Sequence, residues 1–408
     1  MRKKIILILL FSYSFGLVIF AKRSPTRLLK EWLVVPVAQR CKFDEQSFIN
    51  DGLSKQDVNS AITLLYRDMV TNDSIRLAYC WKQGKFTRDS LTMKFRALIF
   101  GKEPIDGRSL YISLHGGGSC PSIINDGQWD NQILLYQPKE GIYLAPRAPE
   151  DAWNMWFKPY VDDFFQDIIE SAVILYHVNP DKVYITGYSA GGDGIYRMAP
   201  RMADRWAAAA MFAGHPGNVS LLSTRNLPFA LWVGALDNGY DRNIYAKKRM
   251  LELDTLHKAD PEGYITNLRL VEEKGHWMDR LDTTAVNWMA KFKRDPYPNK
   301  IVWMQDSTDL NSSLYWLSAP KEKLVKGGLI IVSHKQNDFY IEKSYCNELI
   351  LGLNDRMINF DKPVRVIYQK KIVFKGKVKR NINAIYTSLK TKKDVQLLFS
   401  SYLKIILS

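Results

Sequence analysis

Residues 91–296 alternate between short apolar runs, typical of buried strands, and segments whose apolar positions recur with helical spacing. The strand-like runs are 109–114, 141–146, 181–186, 206–212, 228–233 and 267–272, and the helical segments include 161–177 and 281–292. Strands separated by helices are typical of a parallel sheet that is covered on both faces. The pattern therefore predicts an α/β fold with a doubly wound, mainly parallel sheet.

Two further elements are predicted before this region. Residues 22–90 contain a capped helical pattern at 54–70, which indicates a helical extension packed on the sheet region. Residues 87–100 form a strand pattern, and a turn at 103–107 leads from it into the run 109–114. We therefore expect an antiparallel hairpin at the start of the sheet.

The N-terminal pattern is that of a secretory signal peptide over residues 1–21. Three basic residues precede an apolar run at 5–20, and Ala21 supplies a small residue at a cleavage point. We therefore expect export to the periplasm or the extracellular space. Basic residues directly after the run, among them Lys22 and Arg23, are also compatible with an uncleaved membrane anchor.

Residues 297–408 differ from the middle of the chain in both pattern and charge. Seven short strand-like runs and one helical segment, 382–389, predict a separate β-sandwich-like accessory domain that binds or positions rather than catalyses. This part has 19 Lys and Arg against 9 Asp and Glu, which is +10 of the chain's formal +15. Lys375, Lys377 and Lys379 share one strand face, either as a solvated edge or as a site for an anionic polysaccharide or membrane surface. No nucleic-acid-binding module is recognisable, so we expect no nucleic-acid partner.

The four cysteines, Cys41, Cys80, Cys120 and Cys346, have none of the spacings of metal ligands. In an exported protein, a Cys41–Cys80 disulfide and four free thiols are both compatible with the sequence. We expect neither a metal nor a cofactor.

The most informative motif is Gly-Tyr-Ser-Ala-Gly at residues 187–191. It follows the strand-like run 181–186 and precedes a helical segment that starts near Gly194. A serine at such a strand-to-helix turn is held above the sheet with its hydroxyl exposed. Small residues on both sides let the two arms of the turn approach each other. Ser189 is therefore the candidate nucleophile.

A second glycine-rich motif, His-Gly-Gly-Gly at residues 115–118, follows the strand-like run 109–114. In acyl transfer, negative charge develops on the carbonyl oxygen, and backbone N–H groups aimed at that oxygen lower the barrier. The candidate donors are Ala190, directly after the serine, and Gly116 or Gly117 in the glycine loop.

A serine nucleophile needs a base, and the base needs a carboxylate that orients it. Asp237 stands in the turn after the run 228–233, and Asp241 is its competitor, although each aspartate could instead cap the helix that follows. His276 lies in the loop after the run 267–272 and is the candidate general base. We prefer Asp237 because it is nearer to the end of its strand.

These motifs resemble those of α/β hydrolases in the secreted esterase and polyhydroxybutyrate-depolymerase-like group, which shades into prolyl-oligopeptidase-type catalytic domains. The residues that carry the resemblance are 114–118, 184–194, 233–241 and 274–277. The resemblance implies that residues 91–296 form the catalytic domain and that the reaction is serine ester hydrolysis without a metal.

Aromatic residues after the run 141–146 are candidates for substrate contact. Trp153 and Trp156, together with Trp277 beside His276, could line a pocket or merely fill space beneath a lid. We expect a secreted serine hydrolase that cleaves carboxylic esters through an acyl-enzyme, on carbohydrate- or polymer-linked esters. The alternatives are a prolyl-oligopeptidase-type peptidase and a non-catalytic carbohydrate-binding or scaffold protein with a degenerate site.

Overall fold

The structure is a computed structural model that describes residues 23–306 and 310–407. The predicted signal segment, residues 1–21, lies outside the described residues. Within the two described ranges, no helix has both the length and the apolar character that a bilayer-spanning helix needs. The predicted export stays a prediction.

An eight-stranded sheet forms the centre of the molecule. Its strands are β1 (Lys85–Arg88), β2 (Leu91–Phe100), β3 (Arg108–Leu114), β4 (Gly141–Arg147), β5 (Val178–Tyr188), β6 (Ala208–Phe212), β7 (Phe229–Gly234) and β8 (Thr266–Val271). They lie in the order β1-β2-β4-β3-β5-β6-β7-β8. β1 and β2 are antiparallel to their neighbours, and all pairs from β4 to β8 are parallel. The predicted α/β class with a mainly parallel sheet is confirmed.

Eight α-helices accompany the strands in the described part of the chain. They are α1 (Pro25–Val34), α2 (Lys55–Gln83), α3 (Ser122–Gln132), α4 (Tyr160–Tyr176), α5 (Ala190–Arg201), α6 (Arg242–Ala259), α7 (Thr283–Met289) and α8 (Ile382–Lys392). The predicted helices at 161–177 and 281–292 correspond to α4 and α7. No pattern in the sequence predicted α3.

Both faces of the sheet are buried, as a doubly wound fold requires. Along β3, Leu110 and Ile112 pack in one apolar cluster with residues of α4 and α5, whereas Tyr111 belongs to a second cluster with residues of α3 and α7. Side chains along a strand point alternately to opposite faces, so neighbouring residues enter different clusters. The near-continuous apolar runs in the sequence reflect this burial on both faces.

The predicted hairpin between 87–100 and 109–114 is wrong. β2 pairs with β1 across the turn Asp89-Ser90, in which Asp89 has a φ of 50°. The other edge of β2 pairs with β4, and β3 lies between β4 and β5. The segment between β2 and β3 is therefore a crossover past β4, and the real hairpin is the shorter one between β1 and β2.

The N-terminal extension is longer and more widely packed than predicted. α2 begins at a capping box formed by Ser54 and Asp57 and continues to Gln83, beyond the predicted end at residue 70. Leu77 packs in the central core, and Trp81 packs against Phe95, with ring centroids 5.0 Å apart. These contacts extend the helix past its polar residues 71–74. The first half of α2 packs instead with α1 and α8 in a separate cluster.

Two further sheets follow the central one. Their strands are β9 (Lys300–Met304), β10 (Ser313–Leu314), β11 (Leu317–Ser318), β12 (Leu329–Lys335), β13 (Asp338–Lys343), β14 (Glu348–Leu353), β15 (Val364–Tyr368), β16 (Lys371–Gly376) and β17 (Ser401–Ile406). The sheet orders are β10-β11-β14-β17 and β16-β15-β13-β12-β9. All pairs are antiparallel except β13 with β15. The predicted β-rich C-terminal region is confirmed, and β17 is an additional strand.

The three lysines of the predicted basic stripe are all exposed. Only Lys375 lies within β16, because that strand ends at Gly376 and Lys377 and Lys379 follow it. β16 is at the edge of the five-stranded sheet. The prediction that all three share a strand face is therefore wrong.

Buried charges connect the C-terminal sheets to the central sheet. Arg294, whose side chain is 1% exposed, contacts Asp181 at 2.6 Å and Asp394 at 2.6 Å. Lys392 contacts Asp204 at 2.7 Å. We call these residues, together with Arg205 beside Asp394, the junction cluster. It contains three cations and three carboxylates, so each buried charge has an opposite charge beside it.

Candidate active site

Ser189 occupies a sharp turn between β5 and α5. Its backbone has φ 57° and ψ −121°, and its N–H donates to the carbonyl of Phe212 at 2.9 Å. A Cβ at Gly187 would lie 2.4 Å from the carbonyl oxygen of Gly191, and a Cβ at Gly191 would lie 2.2 Å from that of Leu114. Only glycine fits at these two positions. The turn thus holds a non-glycine residue in a conformation that is costly for it, which is typical of functional sites.

Three side chains from three loops form one hydrogen-bonded chain. The Nε2 atom of His276 lies 2.9 Å from Oγ of Ser189, and its Nδ1 atom lies 2.8 Å from Oδ2 of Asp237. These are hydrogen-bonding distances on both sides of one imidazole ring. The structure therefore brings together the predicted nucleophile, base and carboxylate in the order that proton transfer requires.

Asp237 rather than Asp241 contacts the histidine. The Asp237 side chain is 2% exposed, and its second oxygen lies 3.5 Å from Nη1 of Arg242. Its backbone is fixed as well, because the N–H of Asn243 donates to its carbonyl at 3.0 Å. Asp241 is exposed at the N-terminus of α6, where its side chain makes no capping hydrogen bond.

The loop that carries His276 is fixed by the residue before the serine. The hydroxyl of Tyr188 donates to the carbonyl of His276 at 2.7 Å and accepts from the N–H of Met278 at 3.0 Å. Burial raises the pKa of Tyr188, so the phenol stays protonated. The loop also crosses the end of β7 closely, since a Cβ at Gly234 would lie 2.0 Å from the carbonyl oxygen of Gly275. No local sequence pattern indicated a role for Tyr188 or Gly234.

The glycine loop lies beside the serine. A Cβ at Gly116 would be 3.2 Å from Cβ of Ser189. Gly117 has a φ of 101°, which favours glycine, and no hydrogen bond within the described ranges occupies its N–H. Ala190 is the first residue of α5, and the first N–H groups of a helix have no partner within the helix. The predicted donors are thus backbone N–H groups near the serine that are available to an oxyanion.

His115 holds the start of this loop as a neutral ring. Its Nε2 atom accepts from the N–H of Ala148 at 3.1 Å, so the proton is on Nδ1, which donates to the carbonyl of Gly116 at 2.6 Å. Burial lowers the pKa of His115 to about 4. The ring is therefore uncharged at neutral pH and acts as a fixed hydrogen-bonding element beneath the loop.

Asn125 supports the other end of the loop and was missed by the sequence analysis. Its Oδ1 atom accepts from the N–H of Gly118 at 2.8 Å, and its Nδ2 atom donates to Asp151 at 2.7 Å. Arg147 contacts the same Asp151 oxygen at 2.5 Å. A Cβ at Gly117 would lie 2.1 Å from Oδ1 of Asn125, so the loop packs directly on this amide. The network fixes the positions of the candidate oxyanion donors.

A cavity of about 650 Å³ opens in front of Ser189 and His276. We call it the Ser189 cavity. One wall is α3 with the turn after it, and the opposite wall is the loop that carries His276. Besides Gly116, Gly117 and Tyr188, its lining residues are Ile124, Gln128, Asn131, Gln132, Leu134, Leu135, Trp277 and Arg280. The cavity therefore combines apolar side chains with a few amides and one cation.

The three candidate tryptophans occupy different environments. Trp277 lines the Ser189 cavity, as expected. The prediction for Trp156 is wrong, because its side chain is completely buried and its indole N–H donates to the carbonyl of His115 at 2.9 Å. Trp153 is 64% exposed and lines a different cavity, so it is not placed at the serine. Sequence proximity to the strand end did not distinguish these environments.

All four cysteines are free, so the Cys41–Cys80 disulfide is not formed. Cys120, beside the glycine loop, has its sulfur 3.2 Å from Oδ1 of Asn125. In the part of the chain that the structure describes, no group of three or more His, Cys, Asp or Glu side chains is arranged to hold a metal ion.

No protein-family model matches the chain, and no curated protein does either. Solved structures with a similar fold include a thermostable esterase, at 19% identity and a TM-score of 0.42 over 52% of this chain. The chain spans 62% of the length of that esterase.

Two other solved structures are also similar to the chain in fold. Esterase 2 of Thermogutta terrifontis is 16% identical over 50% of this chain and 89% of its own, with a TM-score of 0.34. A mutant feruloyl esterase module from Clostridium thermocellum, complexed with sinapinate, is 14% identical over 51% and 86%, with a TM-score of 0.36. Each of these likenesses is one of fold.

Proposed function

We propose that this protein is a serine hydrolase that cleaves carboxylic esters through a covalent acyl-enzyme on Ser189. The observation that carries the proposal is the hydrogen-bonded chain from Ser189 through His276 to Asp237. A chance contact of three polar residues would not also place the serine at a positive-φ turn beside unoccupied backbone donors.

In the first half of the reaction, Oγ of Ser189 attacks the ester carbonyl carbon. Its proton moves to Nε2 of His276, and the carbonyl electrons move onto oxygen. The resulting oxyanion accepts hydrogen bonds from the N–H groups of Ala190 and Gly117. Each of these bonds lowers the free-energy barrier by about 3–4 kcal/mol. The intermediate then collapses, the bond to the alkoxy oxygen breaks, and His276 returns the proton to the departing alcohol.

In the second half, a water molecule takes the place of the alcohol. His276 removes a proton from the water, and the hydroxide oxygen attacks the acyl carbon. Collapse of the second intermediate breaks the bond to Ser189 and returns the proton to its Oγ. The carboxylate of Asp237 orients His276 and stabilises the imidazolium that forms twice in each cycle. The products are one carboxylic acid and one alcohol.

The Ser189 cavity supports an ester with a partly apolar acyl group. Ile124, Leu134 and Trp277 provide apolar surface, whereas Gln128 and Asn131 provide amides for hydrogen bonding. Arg280 adds one positive charge, and it is held by the carbonyls of Leu134 and Leu135. Esters attached to saccharides belong to the proposed substrate class, since their hydroxyl groups are partners for the amides.

Export belongs to this proposal because residues 1–21 have the basic start, apolar run and small residue of a signal peptide. The test is the mass and N-terminal sequence of the protein recovered from cell fractions. We expect an exported chain that begins near residue 22. A chain retained at full length in the membrane fraction would instead indicate an uncleaved anchor.

The enzymatic proposal is tested with p-nitrophenyl acetate and a fluorophosphonate probe. Wild-type protein should hydrolyse the ester and take up the probe at Ser189, as located by peptide mass spectrometry. Ser189→Ala should lose both properties. Ser333→Ala is the matched control and should keep both properties. It removes a hydroxyl that donates to Glu342 in the five-stranded C-terminal sheet, a different sheet from the one that carries Ser189. Hydrolysis by Ser189→Ala near the wild-type rate would reject the mechanism.

A further inference from the structure

A second cavity, of about 680 Å³, lies where the central sheet meets the C-terminal sheets. We call it the junction cavity. The loop after β4 contributes Trp153 and Phe157, and α5 contributes Arg197 and Arg201. The C-terminal part contributes residues around the end of β9 and Lys326 before β12. None of the residues that line it lines the Ser189 cavity.

One wall of the junction cavity is aromatic. The Trp153 ring is 64% exposed and meets the Phe157 ring edge to face, with centroids 5.3 Å apart. The guanidinium of Arg197 lies over the Phe157 ring at 4.0 Å. A large aromatic side chain left this exposed at the mouth of a cavity is available to stack on a ring-shaped ligand. The same wall presents a cation beside that surface.

The cations of this cavity are not all neutralised. Arg201 is paired with Asp162 at 2.5 Å. By contrast, within the described ranges Arg197 has no carboxylate in salt-bridge contact, and its Nη1 donates to the backbone carbonyl of Asp193 at 3.3 Å. The carboxylate of Asp193 attracts it from beyond salt-bridge distance. Lys326 is exposed and has no ion pair in the same ranges. Among the described residues that line the cavity, the one acid is Asp306, whose carboxylate accepts from the N–H of Ser220 and attracts Arg197 through space. The balance favours an anionic group.

The remaining polar lining suits a ligand rich in hydroxyl groups. Asn154 and Asn218 each place an amide, with both donors and an acceptor, at the cavity surface, whereas Gln305 is 3% exposed and its Nε2 atom donates to the carbonyl of Asn311 at 2.7 Å. The aromatic surface, the cations without a salt bridge and these two amides together match three parts of one ligand. These parts are the apolar face of a sugar ring, a carboxylate and ring hydroxyls.

We propose that the junction cavity is a second binding site, which takes a carboxylate-bearing sugar ring. In this site, Arg197 and Lys326 bind the carboxylate, Trp153 stacks on the ring, and the amides bind hydroxyls. The inference goes beyond the proposed function, because binding here requires no hydrolysis. It also gives the C-terminal sheets a role, since they supply one side of the site.

The position of the site relates it to Ser189. Ser189 precedes the first residue of α5, and Arg197 is seven residues after that first residue, which is about 10 Å along the helix axis at 1.5 Å per residue. Trp153 is near the glycine loop, because a Cβ at Gly118 would lie 3.3 Å from its Cα. A short acidic oligosaccharide bound in the junction cavity is therefore held close to the ester-cleaving site.

Calorimetric titration of the full-length protein tests the proposal, with tetragalacturonate as the acidic probe and the neutral galactose tetramer as its counterpart. Neither probe is an ester, so the result is independent of the proposed hydrolysis. We expect the wild type to bind the acidic tetramer, with affinity that falls as salt is added, and to bind the neutral one at least tenfold more weakly. Arg197→Met should weaken acidic binding by about tenfold to a hundredfold.

Further variants guard against a folding artefact. Lys326→Met and Trp153→Ala change exposed side chains, and we expect the first to weaken only the acidic probe and the second to weaken both. Arg269→Met is the matched control, since Arg269 also lies over an aromatic ring, at 4.9 Å from Trp232, but outside the junction cavity. Its binding should equal that of the wild type. Melting temperatures establish that each variant is folded.

Tighter binding of the tetramer than of free galacturonate identifies an acidic polysaccharide as the ligand, and equal binding identifies a free sugar acid. No binding, equal binding of acidic and neutral tetramers by the wild type, or wild-type affinity in both cation variants would overturn the proposal. If Arg197→Met does not fold, Lys326→Met and Trp153→Ala decide alone.

Discussion

The candidate active site and the junction cluster both contain buried carboxylates, but their partners differ in exposure. Asp237 is 2% exposed, and the His276 side chain that it orients is 43% exposed toward a cavity. Asp394 is 6% exposed, and its partner Arg294 is 1% exposed. In the first region, one end of the hydrogen-bonded chain is accessible to a substrate. In the second, five of the six charges are buried and Asp181 is 18% exposed, so the network contributes to stability and to the joining of the two parts.

The largest expected effect comes from removing residues 297–408. The sequence pattern indicates a separate accessory domain, yet this deletion would leave Asp204 and Arg205 without their buried partners. It would also expose the apolar core that the central and C-terminal sheets share. We expect no cooperative thermal transition by circular dichroism for a chain that ends at residue 296. Lys377→Ala, an exposed change in the same region, is the control, and a cooperative transition in the shortened chain would show that the parts are independent.

Substitution of Asp237, the carboxylate that orients His276, should have the next largest effect. Asp237→Asn keeps the shape of the side chain but removes the charge that fixes and stabilises the protonated His276. We expect kcat for p-nitrophenyl acetate to fall about 10⁴-fold, with little change in the melting temperature. Asp241→Asn is the matched control and should keep near wild-type kcat. The reverse ranking would assign the carboxylate to Asp241.

At the junction cluster, the expected effect is on stability instead of rate. Arg294→Met leaves the buried Asp394 and the partly buried Asp181 without their shared cation, and loss of the partner of a buried charge typically costs about 3–5 kcal/mol. Urea unfolding should show this loss, whereas kcat per folded molecule should be unchanged. Arg269→Met removes an exposed arginine and should cost much less. A loss of kcat in folded Arg294→Met would mean that the junction cluster also affects catalysis.

The smallest expected effect concerns His115, whose pKa falls to about 4 on burial from the usual 6.5. The folded protein keeps this ring neutral while the unfolded chain protonates it, so its contribution is complete above about pH 6.5. That contribution is lost as the pH falls toward 4, by about 3 kcal/mol in total. Free energies of unfolding at pH 7 and pH 4 should therefore differ less in His115→Gln than in the wild type. Equal pH dependence would mean that His115 is not held neutral by the fold.

The predictable part of the site is the part with local sequence signals. Ser189, Asp237 and His276 each follow a strand-like run, and parallel strands bring their carboxyl ends to one edge of the sheet. The signal for α3 is weak, because its buried positions include Asn125 and Gln132 as well as Trp129. Two of those three positions are amides, so the helix lacks the apolar stripe by which helices are recognised.

The rest of the fold depends on contacts between distant segments. The pairing of β2 with β4 and the contact of Arg294 with Asp394 join residues that no local pattern relates. Composition alone indicated a basic C-terminal region, but it did not indicate that the six charges of the junction cluster balance one another or that five of them are buried. For the same reason, Trp153 and Trp156 could not be distinguished before their neighbours were known.

The packing of the first helices on α8 has a consequence for how the chain folds. Leu29 and Leu65 share a cluster with Ile385, which is synthesised some three hundred residues later, and Phe43 stacks on Tyr386 at 3.7 Å. Until α8 has been synthesised, α1 and α2 can pack on each other, but the side of this cluster that α8 covers stays open. Contacts this distant in sequence form slowly, so the nascent chain remains incompletely folded until α8 emerges. A chain in that state is a suitable substrate for chaperones and for a translocation channel that accepts only unfolded polypeptide.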